Sequence, residues 1–254
     1  MSADRIDEAW YDRSGYFDGH TEHLTDLESP FQRYRIGKVL AIHEPGAGDR
    51  VLDLGCGWGT FELALAPRVA EVVGVDFSER SIELCRERLA RAGAENVRFV
   101  RADAGDTGLE AGSFDVALAA DLFEHLYPDD SARVAREAWR VLRPGGRFVV
   151  WTPHRGHIIE ILKNRRIVGK PDPAHVDYKS MRRLRDLLEE AGFEVDKAFY
   201  AESHLPGLRA VERAFMRWAP FLRRRIAVLG RKPASPPTGP PAGSGRGAAA
   251  TGEP

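Results

Sequence analysis

The chain predicts an α/β fold: a doubly wound, mostly parallel seven-stranded sheet carrying an N-terminal helical cap. Three observations lead there. Between residues 49 and 152, short apolar runs alternate with amphipathic ones at helical spacing, again and again, the rhythm of a parallel sheet with helices on both faces. The first apolar run ends in a carboxylate and turns through three alternate glycines, Gly55-Cys56-Gly57-Trp58-Gly59. The 254 residues, 43% of them hydrophobic, suit one α/β domain with embellishments.

Residues 1–48 read as an irregular helical cap. Trp10, Tyr11, Tyr16, Phe17, His20, His23, Phe31 and Tyr34 are interleaved there, either to cover the mouth of the sheet or simply to anchor helices on it. Pro45-Gly46-Ala47-Gly48 breaks the chain before the core, 49–152. The first strand, Val51–Leu54, leads through the glycines into a helix over 61–68. A second strand, 71–76, precedes a helix capped by Ser78 and stopped at Gly93. Strands over 96–101 and 114–119 follow, then a helix from Pro128 to Leu142 with Val134, Ala135, Ala138 and Val141 on one side. Pro144-Gly145-Gly146 turns it into a fifth strand, 147–151. Residues 153–178 lose the rhythm and read as an insert or lid, with His154, His157 and His175 and the basic residues Lys163, Arg165, Arg166 and Lys170. Residues 179–231 return to the sheet domain: a helix from Ser180 to Gly192, a sixth strand toward Tyr200, a basic amphipathic helix over 208–222 and a last strand, 225–229. The Pro/Gly/Ala/Ser-rich stretch 232–254 is predicted to be a disordered tail.

A strand that ends in a glycine turn and a helix marks a nucleoside cofactor site. Asp53 chooses among cofactors. A carboxylate two residues before the first glycine repels a pyrophosphate, and Thr60 stands where a dinucleotide turn wants a small third residue. S-adenosylmethionine has no phosphate and carries a sulfonium and an ammonium, so an acidic strand tip suits it. Two cysteines, Cys56 and Cys85, exclude a three-cysteine iron–sulfur site and a disulfide framework. With no apolar export core at the start and no stretch of membrane-span length, the expected setting is the reducing cytoplasm.

In order and position, these motifs resemble class I S-adenosylmethionine-dependent methyltransferases, most closely the type 11 small-molecule branch. Val51–Gly59, Gly74-Val75-Asp76, Asp103, Phe114–Leu126 and Leu142–Gly146 carry the resemblance, which covers 48–152 strongly and 179–230 loosely. It implies a Rossmann-like methyltransferase fold. It also implies that Asp53 and the backbone of Gly55, Cys56, Gly57 and Gly59 hold the methionine end of the cofactor. Asp76 would take the ribose hydroxyls and Phe77 the adenine face, while Asp103, Ala104 and Ala120 complete the pocket. Bland alternatives are a helix-capping role for Asp76 and a turn-forming one for Asp103.

The fourth strand delivers Asp121 and His125 to the rim where an acceptor would lie, as base or orienting groups; a purely structural His125 is the alternative. His154, just past the fifth strand, is a further candidate base, and no metal is expected. The expected partner is a small organic acceptor, its reacting atom undetermined, and a cofactor-binding module without turnover is the alternative. Nucleic acid is not expected: there is no Asn/Asp-Pro-Pro-aromatic stretch after the fourth strand, and the net charge is −1. That charge is split. Residues 1–154 hold 18 basic and 27 acidic groups, a net of −9, and residues 155–232 hold 18 and 10, a net of +8. Basic, apolar stretches at 155–170 and 208–225 raise the further expectation of a lipid-like acceptor or a peripheral membrane contact. Oligomeric state stays open.

Overall fold

A computed structural model describes residues 5–18, 25–169 and 172–234. The readings that fall on His20, His23, Lys170 and 235–254 lie outside the described residues.

Seven strands form one sheet in the order β3-β2-β1-β4-β5-β7-β6. They are β1 (Arg50–Leu54), β2 (Glu71–Asp76), β3 (Val97–Arg101), β4 (Phe114–Ala120), β5 (Leu142–Pro153), β6 (Glu194–Ala201) and β7 (Arg225–Arg231). β7 alone runs against its neighbours, pairing antiparallel with both β5 and β6. The strand order reverses between β1 and β4, and the carboxyl ends of these two strands flank the crevice where such sheets bind ligands. Every residue of β4 is buried, as a central parallel strand covered on both faces requires.

Helices cover both faces. Alternation along the strands sends Val51, Val72, Leu118 and Trp151 to one core, which they share with Val39 and Ile42 of α2 (Pro30–Ile42), Phe61 and Leu65 of α3 (Thr60–Leu65), and Ile82 and Cys85 of α4 (Glu79–Ala92). Leu52, Val73, Ala117 and Phe148 face the other core with Val134 and Ala138 of α5 (Pro128–Val141) and Leu184 and Leu188 of α7 (Met181–Glu190). Ahead of these, α1 (Glu8–Arg13) begins at Asp7, whose carboxylate accepts the Trp10 N–H.

Five readings are corrected. The basic amphipathic helix expected over 208–222 spans Pro206–Phe215, with a separate single turn at Pro220–Leu222. The first core helix stops at Leu65, short of Arg68. Pro144-Gly145-Gly146 is no turn between elements but lies within β5: Leu142 pairs with Phe114, and after a bulge Arg147 pairs with Val116. The insert contains a helix, α6 (Ile158–Asn164), capped by His157, whose Nδ1 accepts the Ile159 N–H. Lys232 does not begin a disordered tail. Its N–H donates to Gly146 O, and its ammonium donates to Trp139 O and Leu142 O, both at 2.7 Å, while lying 3.8 Å from the Trp139 ring. Those carbonyls at the end of α5 need a donor, and the stem of Lys232 covers an apolar ring on the way.

Candidate active site

A cavity of about 950 Å³ opens above the carboxyl ends of β1, β2 and β4. Gly55, Cys56, Gly57, Asp76, Phe77, Asp103, Ala104, Ala120, Asp121 and His125 line it, so most of the residues singled out in the sequence meet there. Asp53, Gly59 and His154 do not.

The glycine loop is a wall that has already used its own donors. Gly55 and Cys56 N–H donate to Val75 O at 2.8 and 3.0 Å, Gly57 N–H to Asp76 Oδ2 at 3.0 Å, and Gly59 N–H to Cys56 O at 2.9 Å. A pyrophosphate needs free N–H groups, and these four are engaged, so the loop suits a ligand without phosphate. Gly57 has φ 54° and nothing within 4 Å of where a Cβ would stand, which leaves the backbone bare toward the cavity. Gly59 serves the opposite side, where a Cβ would come within 3.0 Å of Phe99 and 3.1 Å of Cys85 Sγ. The Cys56 thiol is buried, and burial raises its pKa, which leaves it protonated and unsuited to nucleophilic work.

Asp53 departs from the expected contact because strand alternation turns it, like Val51, to the face beneath α3. There it is 2% exposed and meets Glu62, which is fully buried. Outside this pair, Asp53 Oδ1 and both Glu62 oxygens have no hydrogen-bond partner. Burial raises both carboxyls, Asp53 to about 7 and Glu62 well above its usual value, and each raises or hydrogen-bonds the other. Two carboxyls in one dry space hold a proton between them. Asp53 thus lies behind the glycine loop and does not line the cavity.

Asp76 is 6% exposed, and its Oδ1 and Oδ2 accept the N–H groups of Ser78 and Gly57, both at 3.0 Å. Burial lifts its carboxyl to about 6. It braces the loop and lines the cavity at once. Asp103 stands at the exposed rim. Gly105 N–H donates to its Oδ1 at 2.7 Å and Arg133 to its Oδ2 at 2.9 Å, so turn former and wall residue are the same group.

The opposite wall is built by the turn after β4. Asp121 has φ 61°, uncommon for any residue but glycine, and its N–H donates to Trp151 O at 2.7 Å. Its carboxylate takes Arg35 Nε at 2.7 Å on one oxygen and an Arg225 guanidinium N–H on the other. Burial opposes ionisation here, but Arg225 and Arg35 outweigh it and hold the group at about 2. A carboxylate so firmly ionised is a poor base and a good anchor.

His125 sits on a single helical turn, Phe123–His125. Its Nδ1 lies 2.9 Å from Tyr11 Oη and 3.1 Å from Ala174 O. Ala174 O can only accept, whereas Tyr11 Oη can donate or accept, so the Nδ1-protonated tautomer is the one that serves both contacts, and it carries its lone pair on Nε2. Burial, aided by the neighbouring His175, lowers its pKa to about 4, so the ring is neutral at physiological pH. Three groups hold the turn. Lys179 Nζ donates to Phe123 O, Leu126 O and Asp177 O at 2.8, 2.5 and 3.0 Å, Thr152 Oγ1 donates to the buried Glu124 carboxyl at 2.9 Å, and Val176 N–H donates to Glu124 O. Burial and Asp121 raise Glu124 to about 8.

Ligand-type atoms of Glu124, His125 and His175 lie within 4.8 Å of one another, but each of the three already has a protein partner: Thr152, Ala174 and Tyr178 respectively. His154 is spent elsewhere, with Nδ1 2.9 Å from Arg223 O and its ring against Tyr200.

Over the cavity lie residues 5–17, with Tyr11, Tyr16 and Phe17 lining it and packing among Trp10, Trp58 and Phe77. Tyr16 Oη donates to Asp172 Oδ2 at 3.3 Å, and Trp58 Nε1 to Phe17 O at 3.3 Å. Sequence reasoning named Tyr11 only as one aromatic among many, and passed over Arg35, Glu124, Lys179 and Arg225 as site residues. The one signal available was Arg225 at the start of the last strand. Antiparallel pairing sets it opposite Pro153, beside the rim.

Comparison with known proteins places this geometry. A methyltransferase-domain family matches residues 51–146. A 27-O-demethylrifamycin SV methyltransferase of Amycolatopsis mediterranei is 33% identical over 205 residues, covering 77% of this chain and 72% of that protein. A demethylmenaquinone methyltransferase of Clavibacter sepedonicus is 42% identical over 120 residues, 47% of this chain and 46% of the relative, so the chain spans about half the length of that protein. Among solved structures, YcgJ of Bacillus subtilis superposes with a TM-score of 0.61 at 21% identity, covering 79% of this chain and 99% of that one. A Haemonchus contortus phosphoethanolamine N-methyltransferase 2 in complex with S-adenosylmethionine gives 0.66 at 16% identity, over 89% and 60%. At those identities the structures speak for the fold alone.

Proposed function

The chain belongs to the class I S-adenosylmethionine-dependent methyltransferases, type 11 family, and from that premise we propose that it methylates a weakly nucleophilic atom, a hydroxyl or an acidic carbon, on a lipid-like small molecule. The observation that carries this reading is His125: a neutral imidazole at the cavity wall, Nδ1–H fixed on Ala174 O, Nε2 free to accept a proton. A strong nucleophile needs no such group.

The cofactor fits the residues present. Bare backbone at Gly57, the Asp76 carboxylate on the cavity wall and an acidic pair beneath the loop suit a cationic nucleoside. Asp76 would hold the ribose, Asp103 and Ala104 the adenine, and Gly55 to Gly57 the methionine end. S-adenosylmethionine supplies a methyl group on a sulfonium, ready for in-line displacement. The chain's own residues do the rest. Tyr11, Tyr16 and Phe17 exclude water from above, Asp121 fixes Arg35 and Arg225 along the acceptor side, and His125 Nε2 takes the proton that the acceptor loses. That the similar proteins include methyltransferases of demethylmenaquinone and of a demethylrifamycin supports an extended, largely apolar acceptor. A peripheral membrane contact fits the same reading.

Titration calorimetry with S-adenosylhomocysteine, followed by transfer of labelled methyl to a panel of quinols and polyketide phenols, tests the reading. His125→Ala should lower kcat about 10²- to 10⁴-fold while S-adenosylhomocysteine binds as before. A variant with undiminished kcat on every accepted compound would remove the base from the mechanism.

A further inference from the structure

The helix α8 (Pro206–Phe215) is built inside out. An amphipathic helix ordinarily buries its apolar stripe. Here the one fully buried residue is Glu212. Its carboxylate takes His157 Nε2 at 2.7 Å and the Ser203 N–H, with His157 and Glu212 both wholly inaccessible. Its apolar residues Val211 and Phe215, four apart, and Trp218 in the turn beyond are left outside, 47%, 54% and 73% exposed. Leu205 and Phe221 extend it at either end. A lone exposed hydrophobe needs no explanation, but five within residues 205–221 do.

We propose that this segment, 205–221, seats the protein on an anionic membrane surface. Charge complementarity selects that occupant. Arg209 and Arg217 belong to the same segment, and residues 155–232 as a whole carry a net charge of +8. The His157–Glu212 pin ties α8 to α6, and past the end of α6 the chain again exposes apolar and basic residues together, Ile167 and Val168 after Arg165 and Arg166. Aromatic and aliphatic side chains mixed with arginine suit the boundary between headgroups and acyl chains. The position also makes functional sense. Glu160 and Lys163 of α6 line the cavity, so a membrane under α6 and α8 would lie beside the acceptor wall. That last step rests on the methyltransferase reading; the docking itself does not.

The experiment is co-sedimentation of the full chain with vesicles of phosphatidylcholine alone, or with one quarter phosphatidylglycerol, at low and high salt. The triple variant Phe215→Ser, Trp218→Ser, Phe221→Ser runs beside it. The native chain should pellet with the anionic vesicles at least about tenfold better than with neutral ones, and salt should release it. The variant should stay in the supernatant yet keep its thermal shift with S-adenosylhomocysteine, which shows that it folds. Native protein left in solution with anionic vesicles at low salt overturns the proposal, and so does a variant that pellets like the native chain. Concentration-dependent dimerisation lost in the variant, without vesicle binding, would assign the face to a second copy instead. Failure to bind S-adenosylhomocysteine would count against the methyltransferase reading and leave the vesicle result standing.

Discussion

Asp121 joins an unfavourable backbone to a favourable charge. A non-glycine residue in the left-handed region costs on the order of 1 kcal/mol, and the two arginines on its carboxylate, together with the Trp151 hydrogen bond, hold it there. The sign of its pH dependence follows. Its folded pKa, about 2, lies below the ordinary 3.8, so its stabilisation is complete above the ordinary value and is lost as pH falls through about 2. Asp121→Asn should therefore melt below the native chain at neutral pH, with a gap that is constant down to about pH 4 and then narrows. Calorimetric melting across that range measures it, and a gap already closed at pH 5 would contradict the ion pairing. His125 shifts downward too, but for the opposite reason: burial disfavours its cation, which keeps the ring neutral while lowering its affinity for a proton.

Among the elements, the single turn Phe123–His125 depends most on distant support. Within the turn, Phe123 O takes only a 3.3 Å N–H from Leu126, and the Lys179 ammonium, just past the insert, donates to that carbonyl and to Leu126 O. Lys179→Met should remove the charged donor from Phe123 O and Leu126 O and cost on the order of 3 kcal/mol in urea unfolding, with kcat falling as His125 loses its seat. Native-like stability in that variant would show that water replaces the lysine at no cost. Legibility divides along the same line. Strands β1 to β5 and the cavity-lining residues Gly55, Gly57, Asp76 and Asp103 could be read because each depends on local pattern: apolar runs, a turn and a strand tip. Tyr11 on His125, Arg35 on Asp121 and Lys179 on the turn join residues 114, 86 and 53 or more positions apart, and no local rule encodes such meetings. The exposed stripe of α8 was legible as amphipathic, but which way it faces was not. One buried glutamate decided that.

Over the described residues, the cavity is lined mostly from the acidic half, with Asp76, Asp103, Asp121 and His125, and meets Glu160, Lys163, Arg224 and Arg225 of the basic half on one side. Folding and cofactor binding are linked through the sheet ends, because the loop, Asp76 and the roof are all elements that a bound ligand would bridge. With S-adenosylhomocysteine at a hundredfold its Kd, linkage contributes about 2.7 kcal/mol, which at roughly 2–4 °C per kcal/mol predicts a rise in Tm of about 5–10 °C. Differential scanning fluorimetry checks it, and Asp76→Asn should lose most of the shift at the same ligand concentration.

The sequestered Asp53–Glu62 couple predicts that cofactor loading is an acid–base event. A sulfonium and an ammonium arriving across the glycine wall favour the ionised form of a carboxyl that burial has lifted to about 7, so saturation near neutrality should expel part of a hydrogen ion into the buffer. The apparent binding enthalpy would then differ between phosphate and Tris by the difference in their ionisation heats times that fraction, and Glu62→Gln would flatten the difference.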